Sequence, residues 1–217
     1  MTAAKSQDKA PAQARRRPGR PTLSNEELLD KALDLFLAQG FERTSIDAIT
    51  ASAGMAKRTV YARYGDKETL FKAALKRAIE DWIVPVERLR EAETGDFEQT
   101  LGAIGEILVA NLLTPAGLRL LRLTNAVSGQ MPEIGAFNVK LGTEPTLAYL
   151  ADLFRRHLGD DAMAGNRAHL AASAFLNLVV GGPANAAAWG VEADPEEVRA
   201  YTRFSVGLML HGLLKKG

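Results

Sequence analysis

The hydrophobic and polar positions follow a helical pattern along most of the chain. After Asn25, the residues Leu29, Leu33 and Phe36 follow one another at intervals of four and three positions, with charged residues between them. This spacing places apolar side chains on one face of an α-helix. The sequence does not show the strict alternation of apolar and polar residues that indicates β-strands. The pattern therefore predicts an all-α fold.

Two short helices are predicted on either side of Gly54. The first, over residues 46–53, has one apolar face and follows Thr44 and Ser45, either of which can cap a helix start. Gly54 suits the left-handed position after a helix. The second helix, over residues 57–64, is polar and basic. Such a pair forms either a helix-turn-helix, whose second helix enters the major groove, or a surface hairpin of two helices. Spacing alone leaves both interpretations open.

Longer helices surround this pair. The helix before it begins at a capping box of Ser24 and Glu27 and ends at Gly40. The helix after it is predicted over about residues 67–92, with a kink at Pro85. Further periodic segments predict helices over residues 97–113, 115–127, 132–158, 167–190 and 195–214.

Charge is distributed unevenly over the 217 residues. The first 80 residues carry 15 basic and 10 acidic side chains, a net charge of +5, whereas the remainder carries −4. A positive N-terminal end suits a surface that binds phosphates. Residues 1–22 have no apolar period and predict a disordered basic arm. Its arginines Arg17 and Arg20 either enter an A·T-rich minor groove or only keep the chain soluble.

The uncharged run from Leu170 to Val191 approaches the length of a membrane span. Asn177, Asn185 and a Gly-Gly-Pro break within it favour a helix buried against another helix, so no membrane partner is expected. A signal peptide is not evident at the N-terminus, and the chain has no cysteine. Both observations favour a cytoplasmic location.

Residues between Ala32 and Leu75 follow a known pattern in order and without gaps: Leu35-Phe36, Gly40-Phe41, Thr44-Ser45, Ile49, Ala53-Gly54, Thr59, Tyr61, Lys67-Glu68 and Leu70-Phe71. This segment resembles the DNA-binding domain of TetR-family (tetracycline-repressor-like) transcription regulators. The chain departs from the family pattern at Ala56, where a serine is usual and could cap the next helix. Arg58 stands where the family often has glycine. The run LRLLRLTNAVSGQMPEIGAF is similar to one broad subgroup of these regulators.

The resemblance implies a helix-turn-helix domain over residues 23–71 and a C-terminal domain for effector binding and dimerisation over residues 72–217. It implies that the second short helix reads double-stranded DNA at a palindromic operator. Arg58 is the candidate for guanine recognition, with a phosphate contact as the alternative. Candidate DNA contacts are Lys57, Arg58, Thr59, Tyr61, Arg63, Tyr64, Lys67, Thr44 and Ser45, together with Arg17 and Arg20 of the arm.

The resemblance also implies a homodimer through the last two helices and a cavity for a small-molecule effector. A repressor released by a mostly apolar effector is expected, because charged residues are sparse in the C-terminal helices. Core packing is the alternative role for each apolar candidate. The candidate cavity residues are Trp82, Phe97, Ile104, Leu108, Asn125, Met131, Phe137, Phe175, Asn177 and Trp189.

Catalysis and metal binding are not expected. The three histidines, His157, His169 and His211, have no metal-ligand spacing, and neither a phosphate-binding loop nor a Gly-x-Ser-x-Gly motif occurs. No cofactor is therefore predicted. A helical protein-interaction module that does not bind DNA is the alternative function, and loss of the basic face would mark it. Lys57, Arg58 and Lys67 are all present.

Overall fold

The computed structural model describes residues 24–192 and 194–211. Every regular element within these residues is helical, which confirms the predicted all-α fold. The elements are α1 (Asn25–Gln39), α2 (Ile46–Ala53), α3 (Lys57–Tyr64), α4 (Lys67–Trp82), α5 (Val86–Glu91), α6 (Phe97–Leu112), α7 (Pro115–Ser128), α8 (Pro132–Asn138), a first π-helical segment (Val139–Thr143), α9 (Glu144–Leu158), α10 (Arg167–Leu176), a second π-helical segment (Asn177–Gly181), α11 (Gly182–Ala188) and α12 (Pro195–His211).

The first three helices begin and end where local sequence signals place them. Ser24 forms the predicted capping box of α1. Ser45 rather than Thr44 caps α2, since its side chain accepts a hydrogen bond from the Ala48 backbone N–H. Gly54 ends α2 in the left-handed conformation, with φ of 58°. Ala56 precedes α3 without a side-chain capping bond.

These helices pack with α4 around three aromatic rings, and we call α1–α3 with α4 the N-terminal head. Phe36 and Phe71 meet edge to face with centroids 4.8 Å apart, and Phe41 lies 5.0 Å from Phe71. Val60 is the buried residue of α3. Burial of a side chain of this size stabilises a fold by about 1.5–3 kcal/mol, so this core holds the short α3 in place.

The prediction of one helix over residues 67–92 is wrong. Helix α4 ends at Trp82, and Ile83 is extended with ψ of 130°. A separate helix, α5, starts after Pro85. The residue before a proline is driven out of the helical region, and proline cannot donate a backbone hydrogen bond. The chain therefore breaks here rather than kinking.

The core of the head continues without a gap into α7 and α8. Leu120, Val127, Met131 and Ile134 are buried in the same apolar cluster as the aromatic rings of the head. Lys72 of α4 also forms an ion pair of 2.6 Å with Glu133 at the start of α8. The predicted domain division at residues 71–72 stays a prediction.

The C-terminal helices enclose a second apolar cluster. Leu101, Ile104, Phe154 and Phe175 are almost completely buried in it. The two π-helical segments each precede a helix with proline in its first turn, Pro145 in α9 and Pro183 in α11. A proline ring clashes with the carbonyl four residues earlier, and the wider π turn relieves this clash.

Residues 167–188, which contain α10, the second π-helical segment and α11, form a helix of 22 residues that could cross a membrane by length and composition. Helices α6 and α7 reach this length and composition only when they are taken together, and the angle between them is 73°. One such helix is weak support for a membrane protein, because core helices of soluble proteins can be equally long and apolar.

Candidate DNA-binding surface and effector cavity

The solvent-facing side of α3 is polar and cationic. Lys57, Arg58, Tyr61 and Arg63 are exposed, while Thr59 is half-buried. Lys57 forms an ion pair of 2.8 Å with Asp47 of α2, and this hydrogen bond raises the pKa of the Lys57 ammonium. The position and charge of these side chains suit contacts with phosphates and base edges.

The C-terminal end of α3 is attached to the start of α1. Tyr64 donates a hydrogen bond of 2.7 Å from its hydroxyl to Oδ1 of Asn25, and Arg63 donates one of 3.3 Å to the same atom. The sequence gives no local signal for this role of Asn25, because its contacts lie 38 and 39 positions away. Asn25 orients α3 and leaves the Tyr64 hydroxyl engaged within the head.

Thr44 and Lys67 also form hydrogen bonds within the head. Thr44 is 1% exposed, and its hydroxyl proton is shared between the carbonyls of Gly40 at 2.8 Å and Leu35 at 3.2 Å. The hydroxyl is therefore bonded within the head, and its contact with DNA stays a prediction. The Lys67 ammonium donates to the Phe41 carbonyl at 2.9 Å and lies 4.4 Å from the Phe41 ring centroid. Its phosphate contact stays a prediction, as does that of the exposed Ser45. Arg17 and Arg20 lie outside the described residues.

A cavity of about 350 Å³ lies where the end of α4 meets α6, the two π-helical segments and the helices beside them. Its size falls in the range of small-molecule sites, roughly 300–1,000 Å³. Three predicted residues, Trp82, Leu108 and Asn177, lie on its wall. The other apolar side chains that line it are Ile83, Val84, Leu112, Leu147, Leu176 and Val180.

The polar groups of the cavity wall are neutral. They are three amides and three hydroxyls, from Asn111, Asn138, Asn177, Thr143, Thr146 and Ser173. Among the described residues, no charged side chain lines the cavity. Asn111 and Trp82 bond reciprocally: the Asn111 amide nitrogen donates to the Trp82 carbonyl at 2.9 Å, and the Trp82 indole donates to the Asn111 carbonyl at 3.3 Å.

The other predicted effector residues do not line this cavity, and their role in effector binding stays a prediction. Ile104 and Phe175 are completely buried in the C-terminal core, where Phe97 stacks on the His157 ring at 4.5 Å. Met131 and Phe137 pack against the head instead. Two residues are exposed, Asn125 and Trp189, the latter to 83%. Apolar character alone did not separate cavity wall from core.

Helices α10 and α12 contact one another and carry large exposed apolar side chains. Leu170 of α10 is 59% exposed, and Phe204 of α12 is 58% exposed, with Tyr201 one turn before it at 41%. Exposed apolar residues on adjoining helices are typical of a protein–protein interface. A group of side chains able to hold a metal ion is not found in the described part of the chain.

Comparison with known proteins agrees with this arrangement of surfaces. Residues 28–74 match the family described as bacterial regulatory proteins, tetR family, and residues 99–212 match the AefR-like transcriptional repressor C-terminal domain. The second match alone spans more than half of the chain. The protein therefore belongs to the TetR family of transcriptional regulators.

Individual relatives are consistent with that family. The chain is 31% identical over 121 residues to the transcriptional repressor ComR of Escherichia coli, a match covering 54% of this chain and 57% of ComR. It is 25% identical over 181 residues, covering 82% and 80%, to the transcriptional activator FasR of Mycolicibacterium smegmatis. A TetR-family regulator of Mesorhizobium loti has a similar structure, with a TM-score of 0.68, 26% identity and coverage of 87% and 98%.

These matches define the coarse function. The chain has the helix-turn-helix head and the C-terminal domain of a family of DNA-binding transcriptional regulators. The chain matches less than two thirds of the length of ComR. One of the two named relatives is a repressor and the other an activator, so the family does not set the direction of regulation.

Proposed function

We propose that this regulator is a cytoplasmic homodimeric repressor that binds a palindromic operator and is released by a small, mostly apolar effector. The observation that carries the proposal is the cationic, exposed face of α3 on a head whose core is continuous with the C-terminal helices. Two heads related by a two-fold axis would place α3 in successive major grooves of a palindrome.

Arg58 is the proposed specificity residue. It is exposed in the first turn of α3, and the guanidinium fork matches O6 and N7 of guanine. Lys57, Thr59, Tyr61 and Arg63 would fix the position of the helix on phosphates. The N-terminal arm would add minor-groove contacts through Arg17 and Arg20.

The exposed apolar residues of α10 and α12 support dimerisation through the last two helices. The cavity supports effector binding, because Trp82, the last residue of α4, forms part of its wall. An occupant that displaces this end of α4 would change the spacing of the two heads. Coupling between such sites is typically 1–3 kcal/mol.

The test is fluorescence anisotropy with duplexes from upstream of the coding region and from a random-sequence selection, titrated across salt. Specific binding of two subunits per palindrome with a steep salt dependence supports the proposal. Equally weak binding to all duplexes, including the selected ones, contradicts it.

Replacing Arg58 with alanine is expected to lose about 1–3 kcal/mol at one base pair of the operator and to relax specificity there. Anisotropy against single-base-pair operator variants measures this. The control is Arg88→Ala, which removes an exposed arginine from α5, outside the head. A uniform loss on every sequence would show that Arg58 contacts a phosphate instead.

A further inference from the structure

The cavity wall has a chemical character that selects among ligands. Apolar side chains form most of it, and its polar groups are amides and hydroxyls. A charged ligand group would leave water without meeting an opposite charge among the described residues of this wall. Such burial is strongly unfavourable, whereas a neutral polar group can be satisfied by an amide.

Two amides on this wall are held in a defined orientation, that of Asn177 by a hydrogen bond to the Ser173 carbonyl and that of Asn111 by a hydrogen bond to α4. Asn111 is the one bonded to the helix that ends at the cavity. The Asn111 amide nitrogen donates to the Trp82 carbonyl, which directs that nitrogen toward the end of α4. Its Oδ1 has no hydrogen-bond partner among the described residues. The only buried side-chain polar atom without a partner in the described part of the chain is Thr202 Oγ1. Asn111 Oδ1 therefore remains accessible as an acceptor on a residue that lines the cavity together with Trp82.

We propose that the cavity binds an uncharged, hydroxyl-bearing aromatic or alicyclic molecule, and that Asn111 is the specificity-determining residue that accepts the ligand's hydroxyl proton in a hydrogen bond. The apolar part of the ligand packs against Trp82 and the aliphatic side chains. This inference rests on the proposed effector function of the cavity. Because Asn111 is bonded to Trp82, the last residue of α4, the ligand contacts the end of a helix that belongs to the head.

Three probes with one biphenyl skeleton test the ligand class. They are 4-phenylphenol, its methyl ether 4-methoxybiphenyl, and biphenyl-4-carboxylate, titrated calorimetrically into the full chain at neutral pH. The phenol is expected to bind about 5-fold more tightly than the ether, which has no donor, and about 10-fold or more tightly than the carboxylate. Failure of all three to bind, or a carboxylate that binds as tightly as the phenol, overturns the inference.

Two variants test the residue. In Asn111→Leu, the phenol and its ether are expected to bind within about 2-fold of each other, because the acceptor is gone. Thr143→Val, which removes a neighbouring wall hydroxyl, is expected to keep the roughly 5-fold preference. The comparison uses the ratio of the two ligands' affinities for each variant. A general loss of affinity in Asn111→Leu therefore does not change the result. A preference that persists in Asn111→Leu overturns the role of Asn111.

The site of binding is read from Trp82. The chain has two tryptophans, so Trp189→Phe leaves Trp82 as the single tryptophan, whose emission is excited selectively at the red edge of the absorption band. Saturation with 4-phenylphenol is expected to change its emission, and an unchanged spectrum overturns binding in this cavity. Anisotropy on selected duplexes, run in parallel, separates the two proposals. DNA binding without phenol binding would refute only this inference, and the reverse would refute only the proposed operator binding.

Discussion

Lys67 is a single residue whose charged group forms its contacts inside the head. A lysine in the first turn of a helix is placed to meet a phosphate. In the structure its ammonium donates hydrogen bonds to the Phe41 and Glu42 carbonyls and lies over the Phe41 ring. It therefore fastens the turn between α1 and α2 to the start of α4.

Replacing Lys67 with methionine keeps the aliphatic stem and removes these bonds. We expect the free energy of unfolding to fall by about 1–2 kcal/mol, since hydrogen bonds from a charged donor are among the stronger ones. Urea unfolding followed by circular dichroism measures this. Lys31→Met, at an exposed position of α1, is the control and is expected to have little effect. Equal stability of the two variants would contradict this role for Lys67.

Gly117 is a second residue whose role only contacts reveal. A Cβ at this position would lie 2.5 Å from the Leu112 carbonyl oxygen and 2.7 Å from the Trp82 indole nitrogen. Gly117→Ala is expected to destabilise the protein by about 1–3 kcal/mol and to change the emission of Trp82. The control is Gly102→Ala, where the added methyl meets open space and alanine favours the helix. Thermal unfolding and fluorescence compare the two variants. Unchanged stability and Trp82 emission in Gly117→Ala would disprove the predicted clash of its Cβ with Leu112 and Trp82.

At the scale of the element, α3 is short and begins without a capping side chain. Ala56 has the extended conformation of an N-cap, with φ of −70° and ψ of 133°. The stability of α3 depends on the Val60 anchor and on the bonds from Tyr64 and Arg63 to Asn25. A recognition helix of this kind is positioned by its neighbours rather than by its own propensity.

Ala56→Ser is therefore expected to stabilise the head by about 1 kcal/mol, because the new hydroxyl can accept a hydrogen bond from the backbone N–H of Arg58, the second residue of α3. Ala62→Ser, in the exposed interior of the same helix, is the control and is expected to be neutral or to destabilise by about 0.5 kcal/mol. Urea unfolding tests both. A destabilised Ala56→Ser would show that the helix starts elsewhere in solution.

The end of α4 at Trp82 determines which residues reach the cavity. Because α4 ends at Trp82 instead of continuing to residue 92, its last turn forms part of the cavity wall. Its first part packs in the core of the head. One helix of 16 residues thus packs in the core of the head at its first end and forms part of the cavity wall at its other end.

At the scale of the whole molecule, the exposed apolar face of α10 and α12 predicts a dimer. Phe204→Glu would place a charge in the proposed interface and is expected to weaken dimerisation by about 2 kcal/mol or more, roughly 30-fold. Sedimentation velocity across a concentration series measures this. Leu158→Glu, at an exposed apolar position at the end of α9, is the control and is expected to leave the dimer intact. Unchanged association of Phe204→Glu would locate the dimer interface elsewhere.

Local signals in the sequence specify the helices of the head. Capping residues, Gly54 and the apolar period are local signals whose range is about one helical turn, so the Ser24 capping box and the end of α2 at Gly54 could be predicted directly. The choice between Thr44 and Ser45 as the cap of α2 stayed open until the structure showed the bond from Ala48 to Ser45. The order of the matched residues between Ala32 and Leu75 was also sufficient to indicate the family, because it depends on residue types and their spacing alone.

Packing between helices selects which side chains stay exposed and which line the cavity. Thr44 and Ile104 carry the chemistry of candidate site residues, yet their neighbours bury them. Asn111 and Asn25 acquire their roles from partners 29 or more positions away. Such contacts depend on how helices pack, and helical periodicity specifies a buried face without specifying what lies against it.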